Sequence, residues 1–228
     1  MSDKPILYTY FRSSAAYRVR IALAMKGVAY DGVAINLVKG EQKSGEYHDV
    51  NPQGRVPSFV HDGRVLTQSM AIMEYLDDVA EPCLVYGDAS QKAYIRRLSQ
   101  MIACDIHPVT NLNVLQYVGA AWGEDARTKW YADFAMAGMA AFEAVLAAEG
   151  RAGTYCCGDA VSMADLCLVP QMYNMRRFNL PLDDFPMCVA IERNCVALPA
   201  FQVAAPETQP DAPGDLAPIH GPHGIIKQ

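Results

Sequence analysis

The sequence predicts a small α/β domain followed by an all-helical one. Strand and helix patterns alternate up to about residue 80, and beyond residue 89 the apolar spacing is helical. Between them lies "EPCLVYGDAS", a linker with Pro82 and Gly87. The expected division is 1–82 for the α/β domain, 89–213 for the helical domain and 214–228 for an extended tail.

The elements follow in order. Residues 6–11 read as a buried apolar strand that stops at Arg12. Residues 14–26 read as a helix with Ala16, Val19, Ala22, Leu23 and Met25 on its buried side, closed by Gly27. Residues 30–37 form a second strand, and the polar "KGEQKSGEYHDV" has room for a short helix. Residues 56–60 and 64–67 flank His61-Asp62-Gly63, a hairpin signal. "SMAIMEYLDDVA" is a helix with apolar residues at 72, 75, 76 and 79. The order is β-α-β-(α)-β-β-α. Long helical patterns follow at 90–118 and 124–149, with shorter ones at 163–177 and 187–196. From Pro206 the chain holds five prolines and reads as an extended or mobile tail, with His220 and His223 as loop residues.

Composition limits the functions available. A net charge of -6 argues against nucleic acid, which demands a broad basic face. No stretch approaches the about 18 uninterrupted apolar residues of a membrane span, and the N-terminus has no signal-peptide pattern. Seven cysteines without C-x-x-C spacing fit a reducing cytoplasm better than a disulfide framework. No two histidines form an H-x-x-x-H pair, so no metal is expected.

"YFRSSAAYRVRIAL" carries the sharpest chemical signal. Arg12, Arg18 and Arg20 cluster about a helix start, where unpaired N–H groups already make a positive end. A visiting anion would account for them. Ser13 and Ser14 supply two hydroxyls where one cap suffices, and a hydroxyl in a positive field can support a thiolate. The stretch contains no Cys, so a thiolate must come from a ligand. Elsewhere the spacing reads as structural. "VSMADLCLV" is a capping box between Ser162 and Asp165 with Val161 stapled to Leu166. In "DIHPVTNLNVL", His107 and Asn111 are four apart and so share a helix face, beside Asp105. Arg176 and Arg177 end a helix, where cations suit the dipole. Pro57, lacking an N–H, suits a strand start.

Taken together, "PILYTYFRSSAAYRVRIALAMKG", "NPQGRVP", "QSMAIMEYL", "DIHPVTNL" and "YCCGDAVSMADLCLVPQ" resemble the zeta class of glutathione transferases, which includes the maleylacetoacetate and maleylpyruvate isomerases. The likeness runs from about Lys4 to Pro213. It implies a thioredoxin-like N-terminal domain that binds glutathione, an all-α second domain, and a homodimer, which the cysteine usage places in the cytoplasm. By position, Ser13 and Ser14 match the serine pair at the thiol, with Ser13 supporting the thiolate. Val56, before the family's cis-proline at Pro57, would pair with the cysteinyl unit of glutathione. Gln68 and Ser69 would hold the γ-glutamyl end, and Gln42 the glycyl end. His107 and Asn111 match positions lining the site from the helical domain. Arg12, Arg176 and Arg177 match the substrate-carboxylate region. The family's Ser-Ser-Cys is here Ser-Ser-Ala15, a departure that bears on any activity depending on that cysteine; for isomerisation the resemblance implies glutathione's own sulfur as the nucleophile.

The resemblance thus implies a glutathione-dependent cis–trans isomerase of maleyl dicarboxylates, with no nucleic-acid or membrane partner. A glutathione transferase or dehalogenase that releases conjugated product is the alternative, and a non-catalytic binding module a third. The serine pair and the Gln68-Ser69 pair speak against the last.

Overall fold

The computed structural model describes residues 4–43 and 45–219. The chain divides into two units. One holds the chain up to Leu84 together with Leu198–Ala217, and the other is built on Val85–Ala197.

In the first unit, β1 (Ile6–Thr9), α1 (Ser14–Met25) and β2 (Asp31–Ala34) form a β-α-β unit. β1 and β2 are parallel, Ile6 facing Asp31, which requires a crossover that α1 supplies. A 3₁₀ turn (Glu41–Lys43) and α2 (Gly45–Val50) lead to the hairpin β3 (Ser58–His61) and β4 (Arg64–Thr67) and to α3 (Ser69–Val79). The sheet order is β2-β1-β3-β4, with β1–β3 and β3–β4 antiparallel. Asp62 (φ 48°) and Gly63 (φ 72°) both take left-handed backbone at the hairpin tip, as a type I′ turn demands. His61 pairs with Arg64 and so belongs to the strand, not to the turn.

α1 stops as expected. Gly27 lies at φ 62°, its N–H bonds Ala24, and Val28 N–H returns to Leu23, which is a Schellman ending. Of its expected buried residues, Ala16, Val19, Ala22 and Leu23 are buried, while Met25 is half-buried. Tyr17, Arg18, Arg20 and Ile21 are buried as well. The cause is long-range: α3 packs on one side of α1, and α10 (Pro199–Ala204) packs on another.

That packing corrects the expected boundaries. Leu198–Ala217 belongs with the α/β unit rather than with the helices before it. The tail is not extended from Pro206 either. Pro206–Thr208 is a 3₁₀ turn, and Ala212 and Leu216 pack against Tyr10, Phe11, Ile35, Tyr47 and Val56. Residues 220–228, with His220 and His223, lie outside the described residues.

The second unit contains α4 (Ala89–Gln100), a π-helical turn (Met101–Ile106), α5 (His107–Thr110), α6 (Leu112–Trp122), α7 (Glu124–Glu149), α8 (Met163–Arg177) and α9 (Pro186–Val196). The expected 90–118 helix is therefore broken. Asn111 leaves helical backbone (ψ 165°) and caps α6 by accepting the Val114 N–H at 3.2 Å. Pro108, without an N–H, sits just after the π turn, at the start of α5, where that donor is not needed. α8 is the buried centre, packed by α4 and α9. α7 is long and apolar enough, by length and composition, to cross a membrane (mean hydropathy 1.3). One stripe of it is buried, at Tyr131, Ala135, Met139, Phe142 and Leu146, and the Glu143 carboxylate accepts the Met187 and Cys188 N–H groups that open α9. A side chain at Gly138 would meet Ile106 at 2.4 Å, so the approach of α7 to the π turn depends on glycine there.

Candidate active site

The start of α1 is built from the turn that ends β1. Ser13 donates its backbone N–H to Tyr10 (3.0 Å), and its hydroxyl accepts the Ala16 N–H (3.2 Å), so it is the N-cap. Ser14 opens the helix and is buried. A hydroxyl that accepts still has its own proton to donate. The first turn contains no acidic residue, so no side chain of that turn neutralises the positive helix end.

The three arginines divide. Arg20 donates to Thr9 Oγ1 (3.1 Å), Tyr10 O (3.2 Å), Phe11 O (3.0 Å) and Ala204 O (3.0 Å). It is a buried clamp on the turn, which corrects the expectation that its charge awaits an anion. Arg18 is also buried but reaches Ser69 Oγ (3.3 Å) at the start of α3. Arg12 lies over the Phe11 ring at 5.0 Å, and its buried Nε has no hydrogen-bond partner among the described residues.

α3 opens without a side-chain cap or an acidic first turn. Gln68 precedes it in left-handed backbone (φ 70°), its amide turned to Gln53 Oε1 (2.8 Å). Ser69 is buried and backed by Arg18. Val56–Pro57 is a cis peptide just ahead of β3, and the sheet ladder begins only at Ser58. The strand start is braced by Asn51 Nδ2, which donates to Arg55 O (2.7 Å), and by the Tyr47 hydroxyl, which shares a hydrogen bond with Ser58 (2.8 Å). Burial pushes the Tyr47 phenol up from its usual range, so it stays a neutral donor. Gln42 donates weakly to Leu37 O (3.4 Å), and its Oε1 is buried with no partner among the described residues.

These features fit a small peptide-like ligand with an anionic end. An uncapped helix start suits a carboxylate. The orphaned Gln42 Oε1 and Arg12 Nε are a buried acceptor and a buried donor that a ligand can satisfy. The sequence showed Arg18 only as charge at the α1 start, not as the partner of Ser69, and Gln53, two residues after Asn51, carried no signal of its own.

The second unit holds the remaining expected residues. Arg176 forks onto Glu192 on α9, with Nε 3.1 Å from both carboxylate oxygens; the partners are 12% and 3% exposed. A buried bidentate pair of this kind removes Arg176 from the residues available to a substrate. Arg177 lies with its guanidinium 4.7 Å over Phe178, whose other neighbour is Tyr131, stacked at 3.7 Å. Burial pushes the Tyr131 phenol well up, and the Arg177 charge opposes that. Asn111 spends its side chain on Val114 and Pro108, and it lies outside α5, so it does not share a helix face with His107. The half-buried His107 ends the π turn.

The Ser162–Asp165 box is as expected. Asp165 accepts the Ser162 N–H and hydroxyl, each at 2.8 Å, and also the Cys156 N–H at 2.8 Å. Burial pushes its carboxyl up, and these hydrogen bonds oppose the shift.

A family model of the glutathione S-transferase N-terminal domain matches residues 4–78. Maleylacetoacetate isomerase of Mus musculus is 44% identical over 218 residues, covering 94% of this chain and 98% of the mouse protein. The chain belongs to the maleylacetoacetate isomerase family, in the zeta class of glutathione transferases. A bacterial zeta-class maleylpyruvate isomerase, solved in its holo form, superposes with a TM-score of 0.89 at 38% identity over 91% of this chain and all of that one. Maleylacetoacetate isomerase from Methylobacterium extorquens AM1, solved with malonate and glutathione bound, gives 0.88 at 36% over 91% and 99%. The family's fold, a thioredoxin-like domain and a helical one, is the fold seen here.

Proposed function

We propose that this chain is a glutathione-dependent cis–trans isomerase of maleyl dicarboxylates, acting on maleylacetoacetate or maleylpyruvate. The observation that carries the reading is a pair of serines on a helix start with no carboxylate of its own, in a chain that matches isomerases over nearly its whole length. Bound glutathione supplies a sulfur nucleophile whose reversible addition to the conjugated double bond lets that bond rotate.

The residues of the chain do the rest. A free thiol has a pKa of about 8.5, so the site must favour the ionised form at neutral pH. The Ser13 hydroxyl donates to that charge while the α1 N-terminus lends its field, with Ser14 beside it. Ser69 and the α3 start, backed by Arg18, receive a carboxylate, and Gln68 orients beside it. Val56 offers backbone groups ahead of Pro57, and Gln42 its orphaned oxygen. Arg12 and Arg177 bind the carboxylates of the substrate through charge-assisted hydrogen bonds. We also read the enzyme as a cytoplasmic homodimer. Seven free cysteines support the reducing compartment, and the exposed Tyr117 and Trp122, 69% and 64% accessible, support a contact surface on α6.

The test counts glutathione. With each maleyl substrate, an isomerase converts many equivalents while free glutathione stays constant. Stoichiometric loss of glutathione into a conjugate would replace the isomerase reading with that of a transferase, and retention on immobilised glutathione without turnover would make the chain a binding module.

A further inference from the structure

The turn that presents Ser13 is held from both sides by a segment nearly two hundred residues away. Its carbonyls, on Tyr10 and Phe11, are bound by Arg20, whose Nε is fixed on Ala204 O in α10. Its amide is bound as well: the Phe11 N–H donates to Asp211 Oδ2 at 2.9 Å. Asp211 does not hang on a loose end. The Gln209 side chain donates to Ala205 O (2.9 Å) and Val203 O (3.0 Å), and Thr208 Oγ1 donates to Ala205 O (2.9 Å). Ala212 N–H closes onto Gln209 O, and Leu216 N–H onto Pro213 O. Ala212 and Leu216 then pack against the cluster that holds both Phe11 and Val56, the residue proposed to pair with the cysteinyl unit.

We propose that Asp211 is a positioning residue for glutathione binding, fixing the turn at 10–13 through the Phe11 amide so that the Ser13 hydroxyl meets the thiol. The inference rests on the reading of Ser13 given above. A backbone amide without a second holder lets a turn rotate about its neighbouring dihedrals, and Ser13 lies only two residues beyond Phe11. The carbonyl clamp of Arg20 fixes one edge of that turn, and Asp211 fixes the other.

The experiment uses the full chain, with glutathione alone and no maleyl substrate, so failure of the isomerase reading leaves it intact. Glutathione affinity is measured by calorimetry, ionisation of the bound thiol by its ultraviolet absorbance against pH, and exchange of the Phe11 amide by hydrogen–deuterium exchange in the unliganded protein. Asp211→Ala is expected to weaken glutathione binding about threefold to tenfold, the range set by losing one hydrogen bond. It should also raise the apparent thiol pKa and speed Phe11 exchange. Asp211→Asn keeps an oxygen acceptor for the amide and should recover most of the affinity and protection. Should Asp211→Ala not fold, Asp211→Glu decides, since it keeps the charge and displaces the acceptor by one methylene; weakened binding with faster Phe11 exchange is expected. Unchanged affinity and thiol pKa in the Ala or Glu variant would overturn the proposal, whatever the melting temperature. An Asn variant as impaired as Ala would overturn it too, by showing that charge rather than placement matters. Ser13→Ala in parallel isolates the Ser13 reading: an unshifted thiol pKa there fails Ser13 without touching the Asp211 affinity result.

Discussion

Among the described residues, serines stand at the N-caps of α1 and α8, and the two first turns are built to opposite ends. At α8, Ser162 is fully buried, and Asp165 closes the turn by accepting the Ser162 N–H and hydroxyl together with the Cys156 N–H. At α1, the half-buried Ser13 accepts one N–H, and the first turn carries no acidic residue at all. A helix start that contains its own carboxyl has its donors satisfied and its field answered from within. One that lacks it stays receptive to an anion from outside. The end of α8 repeats the contrast between neighbours: Arg176 is engaged by the carboxylate of Glu192, whereas Arg177 lies over the Phe178 ring. Sequence type alone does not separate structural from chemical serines and arginines. The partner each side chain finds in the fold does: carboxylates engage Ser162 and Arg176, and backbone carbonyls engage Arg20.

The largest effect should fall where the internal partner is removed. Asp165→Ala leaves the Cys156 and Ser162 amides buried without their acceptor, and we expect a loss of about 2–4 kcal/mol, since each orphaned donor costs about 1–3 kcal/mol. Chemical denaturation reads the loss, and activity per folded molecule should hold. If activity collapsed while the midpoint stayed put, the division between the two starts would fail.

Arg177→Ala comes next, with kcat/KM on a maleyl dianion falling about tenfold to a hundredfold, the worth of a charge-assisted bond at about 1.5–3 kcal/mol. Arg177→Lys should recover only part, because a point charge does not reproduce the guanidinium fork. A neutral aromatic electrophile should barely register either change. Equal losses on both substrates would instead indicate damage to the fold or to glutathione binding. Arg176→Ala sharpens the pair: it should cost stability, by removing the bidentate partner of the buried Glu192 carboxylate, and not selectivity between the two substrates.

Ser13→Ala should lower kcat about tenfold, or about 1.4 kcal/mol in barrier, and raise the apparent thiol pKa, besides the about 1 kcal/mol of stability lost with the α1 cap. An unchanged thiol and kcat, with only the stability lost, would make Ser13 a second Ser162.

Much of this was legible in the residues themselves. The β-α-β start, the Asp62-Gly63 turn, the Gly27 stop and the Ser162–Asp165 box are all set by residues within about a turn of one another, where the 3.6 and 2.0 periods act. The motifs that carry the family resemblance are likewise short and contiguous. What local pattern did not reveal was partnership at long range. Arg18 and Arg20 look equivalent in "YRVR", yet one faces Ser69 and the other Ala204, because α3 and α10 cover different sides of α1. The spacing of His107 and Asn111 promised a shared face until Asn111 left the helix to cap α6.

The sequence by itself determined the two kinds of domain, the order of their elements and the chemistry available at the serine pair, since hydrogen-bonding and apolar periods are properties of neighbouring residues. Only the tertiary structure decided which charges are consumed inside the fold. It returned the proline-rich stretch after Leu198 to the first unit, buried Arg20 under α10, and set Asp211 against the turn that carries Ser13. The physical reason is burial. Covering a charged or polar group obliges it to find a partner, and the covering segment comes from elsewhere in the chain.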